Sequence, residues 1–328
     1  MYDDSFLNRL EARLSASLPL WDLSPETPLK LLTISENATF LADTPGAPTV
    51  FRVHRPDYHT RYEIASELDW LEALRAHGVA ETPAPLRLAN GDLLGAFDDD
   101  GATRHVVGFS FVKGREPEPG ADLAGQYRTL GAVTARLHGH AKRWTRPEGF
   151  ARKTWDFDAL IGTRPFWGDW RAALGLDAEG LATLEKTETL LRDEVAAYGA
   201  TPETFGLIHA DLRPANLLVD GENLAVIDFD DCGFCWFFYD FAAAVSFMEH
   251  EPFIPELQAA WLEGYASVAP VDPAAVAMLP SFLMLRRMQL TAWIASHAET
   301  PTAQAMGVPY THGTVALAER HLARSAAL

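Results

Sequence analysis

The chain predicts an α+β architecture of two lobes, a small β-rich lobe followed by a larger, mostly helical one. Three observations carry this. Short apolar runs at Leu29–Ile34, Thr39–Ala42 and Thr49–Val53 follow one another closely, with a Pro45-Gly46 turn signal before the third. From Leu123 onward the apolar spacing is predominantly helical. Between the two regions lies Lys113-Gly114-Arg115-Glu116-Pro117-Glu118-Pro119-Gly120, polar and rich in Pro and Gly. Such a stretch marks a boundary, so the lobes are read as residues 1–112 and 113–328.

Taken in order, Phe6, Leu7, Leu10 and Leu14 fall on one face of a first helix. The three strand runs come next. Ile64, Leu68, Leu71 and Leu74 then give a second helix its apolar stripe, and Gly78 ends it. Leu86–Leu88 and the Val/Phe-rich His105–Val112 read as further strands. Beyond the boundary, Leu123–His140 and Leu181–Tyr198 read as long helices. Leu217–Val219 and Leu224–Ile227 flank Asp220-Gly221-Glu222-Asn223, and Asp-Gly between two such runs signals a hairpin. Helical spacing resumes near Pro255–Tyr265, Leu279–His297 and Thr314–Ala326.

The 328 residues are ample for a buried core, and 48% hydrophobic with 22% charged residues is an ordinary globular composition. Lys and Arg number 27 against 45 Asp and Glu, a formal net charge of −18. That balance argues against nucleic acid and anionic lipid as partners. Two cysteines cannot staple a chain of this length. The acidic opening Met1-Tyr2-Asp3-Asp4 does not resemble a signal peptide. The longest apolar stretch, Phe234 to Met248, is interrupted by Asp240 and falls short of a membrane span. The expected compartment is the cytoplasm.

The chemistry concentrates around the predicted hairpin. His209-Ala210-Asp211-Leu212-Arg213-Pro214-Ala215-Asn216 precedes it and Asp228-Phe229-Asp230 follows it. Taken singly, such Asp and Asn residues are common loop caps. Together they predict that the hairpin folds a carboxylate and an amide towards a second carboxylate. Hard oxygen ligands of that kind suit Mg²⁺. A carboxylate outside the metal shell could then receive a hydroxyl proton, which is the equipment of phosphoryl transfer. Asp211 takes the base or nucleophile-orienting role, and Asn216 and Asp228 take the metal.

H-x-D-x-x-x-x-N, a hairpin and an Asp-led triplet resemble the core of the protein-kinase-like fold, and most closely the aminoglycoside phosphotransferase family. That family includes choline kinases, type II homoserine kinases and a bacterial stress-response Ser/Thr kinase. The resemblance covers roughly residues 29–293 and is strongest over 207–240. Leu130-Gly131-x-x-x-Ala135-x-Leu137-His138 resembles the family's central helix, and Tyr239-Asp240-Phe241-Ala242 the motif in which the Asp braces the catalytic loop. The resemblance implies an ATP·Mg²⁺-dependent enzyme. Its nucleotide-clamping strand Lys is replaced by Arg52, and Glu67 suits the partner position better than Glu63 because Leu68, Leu71 and Leu74 set the buried face beside it. Arg is always charged and forks onto two oxygens, so clamping survives in principle. Ser35 and Asn37 occupy the phosphate-covering loop, which lacks glycine, and Val112 lies in the linker that would meet adenine. Arg213 sits where a cation can steady the transferring phosphoryl group.

Several features carry less. Cys232-Gly233-Phe234-Cys235 lacks the further ligands of a zinc site and reads as two ordinary thiols. Trp155, Trp167 and Trp170 read as core or lid packing. Arg286 and Arg287 lie on an apolar helix, so at least one faces inward, either to an acidic acceptor or in a structural ion pair. His138 and His140 read as packed helix residues. No P-loop and no strand-following G-x-G-x-x-G occurs. The expectation is a phosphotransferase acting on the hydroxyl of a small molecule, such as an aminoglycoside, amino alcohol or homoserine-like acceptor. A Ser/Thr protein kinase of the stress-response type and a nucleotide-binding pseudokinase are the alternatives.

Overall fold

The computed structural model describes residues 4–34, 37–44, 46, 48–118 and 122–326. The chain divides into two compact units. The first comprises Met1–Gly114, Thr145–Arg152 and Ala225–Asp230, and the second Arg115–Trp144, Lys153–Leu224 and Asp231–Leu328.

In the first unit the elements run α1 (Asp4–Ser17), β1 (Leu29–Ile34), β2 (Ala38–Ala42), β3 (Thr49–Val53), α2 (Arg61–Ala76), β4 (Pro85–Leu86), β5 (Gly95–Asp99) and β6 (Ala102–Ser110). The six strands form one antiparallel sheet in the order β1-β2-β3-β6-β4, with β5 also paired to β6. Strand alternation sets its two faces. Phe40, Phe51, Val53 and Val106 join Leu10 and Leu14 of α1 in one core. Arg52, between Phe51 and Val53, therefore points to the other face, where Ile64, Leu68, Leu71 and Leu74 of α2 are buried. Thr60 opens α2 with a capping box: its hydroxyl accepts the Glu63 N–H while the Glu63 carboxylate accepts the Thr60 N–H. Glu63 is thus used at the cap.

Strand β5 was not expected from the sequence, because Gly-Ala-Phe-Asp-Asp has no alternating pattern. Its signal lies in the turn instead: Asp100 and Gly101 have φ of 54° and 88°, the left-handed pair of a tight hairpin. The two late segments join this unit through backbone and side-chain hydrogen bonds. The Val226 N–H donates to the Glu81 carbonyl at 2.9 Å, and Ala151 N–H donates to Ser66 Oγ at 2.9 Å. Arg152 donates to the carbonyls of Glu63 and Asp230.

The second unit carries α3 (Leu123–Arg143), α4 (Phe157–Leu160), α5 (Ala178–Tyr198), β7 (Phe205–Ile208), β8 (Leu217–Asp220), β9 (Asn223–Val226), β10 (Gly233–Trp236), α6 (Tyr239–Ala244), α7 (Ile254–Ala266), α8 (Pro273–Ser296) and α9 (Pro301–Ser325). The chain passes from the second unit to the first within β9. The hairpin expected at Asp220-Gly221 is present as β8 and β9, with Gly221 at φ 61°. β7 and β10 form a second, unexpected antiparallel pair, in which Ile208 lies opposite Gly233. This pair presents Asp211 just beyond the end of β7. No helix among the described residues is long and apolar enough to cross a membrane.

Two glycines let α3 and α7 approach backbone to backbone. A Cβ at Gly264 would lie 1.8 Å from the Arg128 carbonyl oxygen, and one at Gly131 would lie 2.0 Å from that of Trp261. Gly264→Ala is therefore expected to lower stability by about 2 kcal/mol or more, the cost of overpacking a tight contact. Gly139→Ala, also in α3 but facing only the flexible end of Arg143, is expected to raise it by up to ~1 kcal/mol through helix propensity. Urea unfolding of both variants checks the pair, and equal effects would contradict the close crossing.

Candidate active site

The loop after β7 is held in an unusual conformation. Ala210 has φ of 65°, a left-handed setting that costs a residue with a side chain about 1–2 kcal/mol. The buried carboxylate of Asp240, at the start of α6, holds it there. Asp240 Oδ1 accepts the Ala210 N–H at 2.7 Å, and Oδ2 accepts the His209 N–H at 3.3 Å. His138 Nε2 lies 3.0 Å from the same Oδ2, and its Nδ1 lies 3.2 Å from the Tyr265 hydroxyl. A carboxylate accepts, so Nε2 carries the ring proton and Nδ1 receives the phenol. Burial holds the His138 pKa below its ordinary value, in keeping with a neutral ring. The His138 of the apolar helix face is therefore a partner of the loop brace, which periodicity alone does not reveal.

This brace aims Asp211. Its Oδ2 accepts from Asn216 Nδ2 at 2.8 Å and from Arg213 Nε at 3.2 Å, and its Oδ1 accepts from Arg286 Nη2 at 2.5 Å. Burial alone would raise the Asp211 pKa, but Arg213 and Arg286 outweigh it and hold the carboxyl below its usual range. Asp211 is thus an ionised hydrogen-bond acceptor at neutral pH. The described side-chain bonds of Asn216 use only Nδ2, to the backbone and side chain of Asp211. That leaves Oδ1 as the hard oxygen it can offer a metal.

The first unit gathers a different set. Arg52 Nη2 lies 2.5 Å from Glu67 Oε2, Nη1 lies 3.1 Å from Asp228 Oδ1, and Nη2 lies 3.7 Å from Asp230 Oδ1. Glu67 is fully buried, whereas the Asp228 side chain is 45% exposed. Burial disfavours the charged guanidinium, but Glu67, Asp230 and Asp228 together raise the Arg52 pKa above its ordinary value. The charge is permanent. Asp228 also has a left-handed backbone, φ 60°. Asn37 donates through Nδ2 to Asp230 at 2.6 Å and accepts the Arg55 N–H at 3.1 Å. Val112 is half-buried two residues beyond β6, and Ser35 lies outside the described residues.

The sequence-selected residues thus fall into two groups. Arg52, Glu67 and Asp228 meet in the first unit, and Asp211, Arg213 and Asn216 meet in the second. No group of three His, Cys, Asp or Glu among the described residues forms a metal cage. The donor chemistry still suits Mg²⁺, which takes one or two protein oxygens and completes its shell with waters and phosphates. The carboxylate of Asp228 and the carbonyl oxygen of Asn216 are donors of that type. Both cysteines are buried, and burial pushes the Cys235 thiol well up, so it is not a reactive thiolate. Arg287 forms a buried pair with Glu249 at 2.9 Å. Arg286 is different, because its partner is Asp211. The sequence places at least one of Arg286 and Arg287 inside but gives no sign of this partner, 75 residues away.

The His138 brace has a pH signature. An unfolded histidine titrates near 6.5, and the folded ring resists protonation below that value. As pH falls through 6.5 the unfolded state gains protons that the folded state refuses, and stability drops. Relative to His138→Gln, which cannot titrate, the wild type is expected to lose part of its stability advantage between pH 7.5 and 5.5. Urea midpoints of both proteins at the two pH values check this, and a constant difference would contradict it.

The solved structure of a microcompartment-associated aminopropanol kinase is 44% identical, with a TM-score of 0.89 over 95% of this chain and 97% of that one. The amicoumacin kinase hAmiN, in complex with AMP-PNP, Ca²⁺ and Ami, shares the fold at 22% identity and a TM-score of 0.77, over 96% of this chain and 93% of that one. Homoserine kinase of Rhizobium johnstonii (strain DSM 114642 / LMG 32736 / 3841) is 28% identical over 252 residues, 75% of this chain and 72% of that protein. The model of the phosphotransferase enzyme family matches residues 31–271, so the chain belongs to that family.

Proposed function

We propose that this chain moves the γ-phosphoryl group of Mg·ATP to the hydroxyl of a small amino alcohol. The observation that carries the reading is the Asp211 carboxylate, ionised and fixed behind a strained, braced backbone, in a chain 44% identical to an aminopropanol kinase. Phosphoryl transfer asks the protein for positioning and charge stabilisation more than for covalent chemistry.

The residues divide the work by substrate. Arg52, aligned by Glu67, clamps the nucleotide phosphates. Asp228 in the first unit and Asn216 in the second each offer an oxygen of the kind Mg²⁺ takes, and Mg²⁺ when bound would neutralise charge on the phosphate oxygens. Asp211 accepts a hydrogen bond from the acceptor hydroxyl and orients its oxygen for in-line attack on the γ-phosphorus. The new P–O bond forms as the bond to the ADP oxygen breaks, and the hydroxyl proton passes towards Asp211. Held below the usual carboxylate range, Asp211 is a weak base, which suits a transition state with little early proton transfer. Arg213, partly exposed beside it, steadies the transferring group. Val112 and Asn37 belong to the nucleotide side in this reading, and the cytoplasm is its compartment.

Labelled ATP with Mg²⁺ tests it against 1-amino-2-propanol, ethanolamine, homoserine and a casein-type protein acceptor. Phosphorylation of an amino alcohol is expected. Asp211→Asn should lower kcat by about 10²–10⁴-fold, the usual range for a lost acid–base group, while keeping ATP affinity. Nucleotide binding without any labelled acceptor would favour the pseudokinase alternative. A labelled protein with unlabelled amino alcohols would favour the protein kinase.

A further inference from the structure

Arg286 lies in the middle of α8, with its side chain only 2% exposed. Its guanidinium forks four ways. Nη2 donates to Asp211 Oδ1 at 2.5 Å, Nη1 to the Ala210 carbonyl at 3.4 Å and to Gln289 Oε1 at 3.3 Å, and Nε to Ser246 Oγ at 2.8 Å. Its Cζ lies over the Trp167 ring, 5.1 Å from the centroid. A guanidinium buried in an apolar helix is costly unless it is paired. The adjacent Arg287 shows what purely structural pairing looks like here: its partners are Glu249, Thr314 and the Tyr310 carbonyl, none of them in the 209–216 loop. Arg286 instead holds both the strained residue of that loop and the carboxylate that follows it.

The distribution of bonds on Asp211 matters. Each carboxylate oxygen has two lone-pair directions. Oδ2 takes two donors, Asn216 and Arg213, and Oδ1 takes one, Arg286. Oδ1 is therefore the oxygen with a direction left for a further donor. The carboxyl torsion that presents it is fixed by the Arg286 fork on one side and by Asn216 on the other.

We infer that Arg286 is a positioning residue for phosphoryl transfer, locking the Asp211 carboxylate so that Oδ1 meets the acceptor hydroxyl. The inference rests on the proposed function and goes beyond it by naming which oxygen acts and what aims it. A Lys at this position keeps the charge but lacks the fork, so it can pair Asp211 or Ser246 but not hold both with the Ala210 carbonyl.

Arg286→Lys and Arg286→Met, assayed with Mg·ATP and 1-amino-2-propanol, test the inference. The expected result is a split: kcat falls about 10²-fold in the Met variant, the loss typical of a small misplacement, and less in the Lys variant. KM for ATP and the affinity for a non-hydrolysable ATP analogue stay within about twofold of wild type on this account, because the described hydrogen bonds of Arg286 reach none of the residues assigned to the nucleotide or its metal. Circular dichroism and the thermal midpoint establish that each variant is folded. Should the Met variant fail to fold, the Lys variant decides alone. Wild-type kcat in Arg286→Lys, or a parallel loss of kcat and nucleotide affinity in it, overturns the inference. Asp211→Asn runs alongside: an inactive Asp211→Asn beside a fully active Arg286→Lys overturns only the role of Arg286. Undiminished transfer by Asp211→Asn overturns the proposed function instead.

Discussion

The carboxylate of Asp240, buried at the start of α6, accepts the Ala210 and His209 N–H groups and the His138 ring N–H. Hydrogen bonds to a charged group contribute about 1.5–3 kcal/mol each, enough to offset the ~1–2 kcal/mol of an alanine at positive φ. Without them the loop would relax towards ordinary backbone angles, and Asp211 would turn with it. Everything assigned to Asp211 depends on this anchorage. The anchorage depends in turn on the helix that carries His138, and α3 lies close to α7 only because Gly131 and Gly264 have no side chains.

A second constraint governs the first unit. An Arg takes the strand position that the family resemblance assigns to Lys. A lysine ammonium is a point charge, whereas the Arg52 fork reaches Glu67 with one nitrogen and Asp228 with the other. Glu67 thereby fixes the side chain from the buried side, while Asp228 remains partly open to solvent. The exchange keeps a permanent cation beside the Asp228 carboxylate.

Much of this was legible in the residues. The Asp220-Gly221 turn fixed the hairpin, and the apolar stripe of the second helix separated Glu67 from Glu63, which caps that helix instead. Asp240 was legible through the resemblance, since nothing in its neighbours tells a brace from an ordinary helix-start carboxylate. What remained hidden was long-range pairing. At least one of Arg286 and Arg287 reads as an inward arginine, but the partner of Arg286 is set by how α8 crosses the loop after β7. His138 reads as packing because apolar periodicity says nothing about a polar partner about a hundred residues away. Strand β5 lacks alternation and is held by its Asp100-Gly101 turn and the longer β6. The return of Thr145–Arg152 and Ala225–Asp230 to the first unit rests on hydrogen bonds in which at least one partner is a backbone group, and that partner leaves no trace in side-chain patterns.

The anchorage by Asp240 is tested most directly by Asp240→Asn, which preserves size while replacing two acceptor oxygens with one. Amide hydrogen exchange at Ala210, read together with kcat for phosphoryl transfer, is the decisive measurement. Faster exchange at Ala210 with a kcat lowered by about tenfold or more and an unaltered ATP affinity is the predicted result. Wild-type protection of Ala210 together with undiminished turnover in Asp240→Asn would contradict the account.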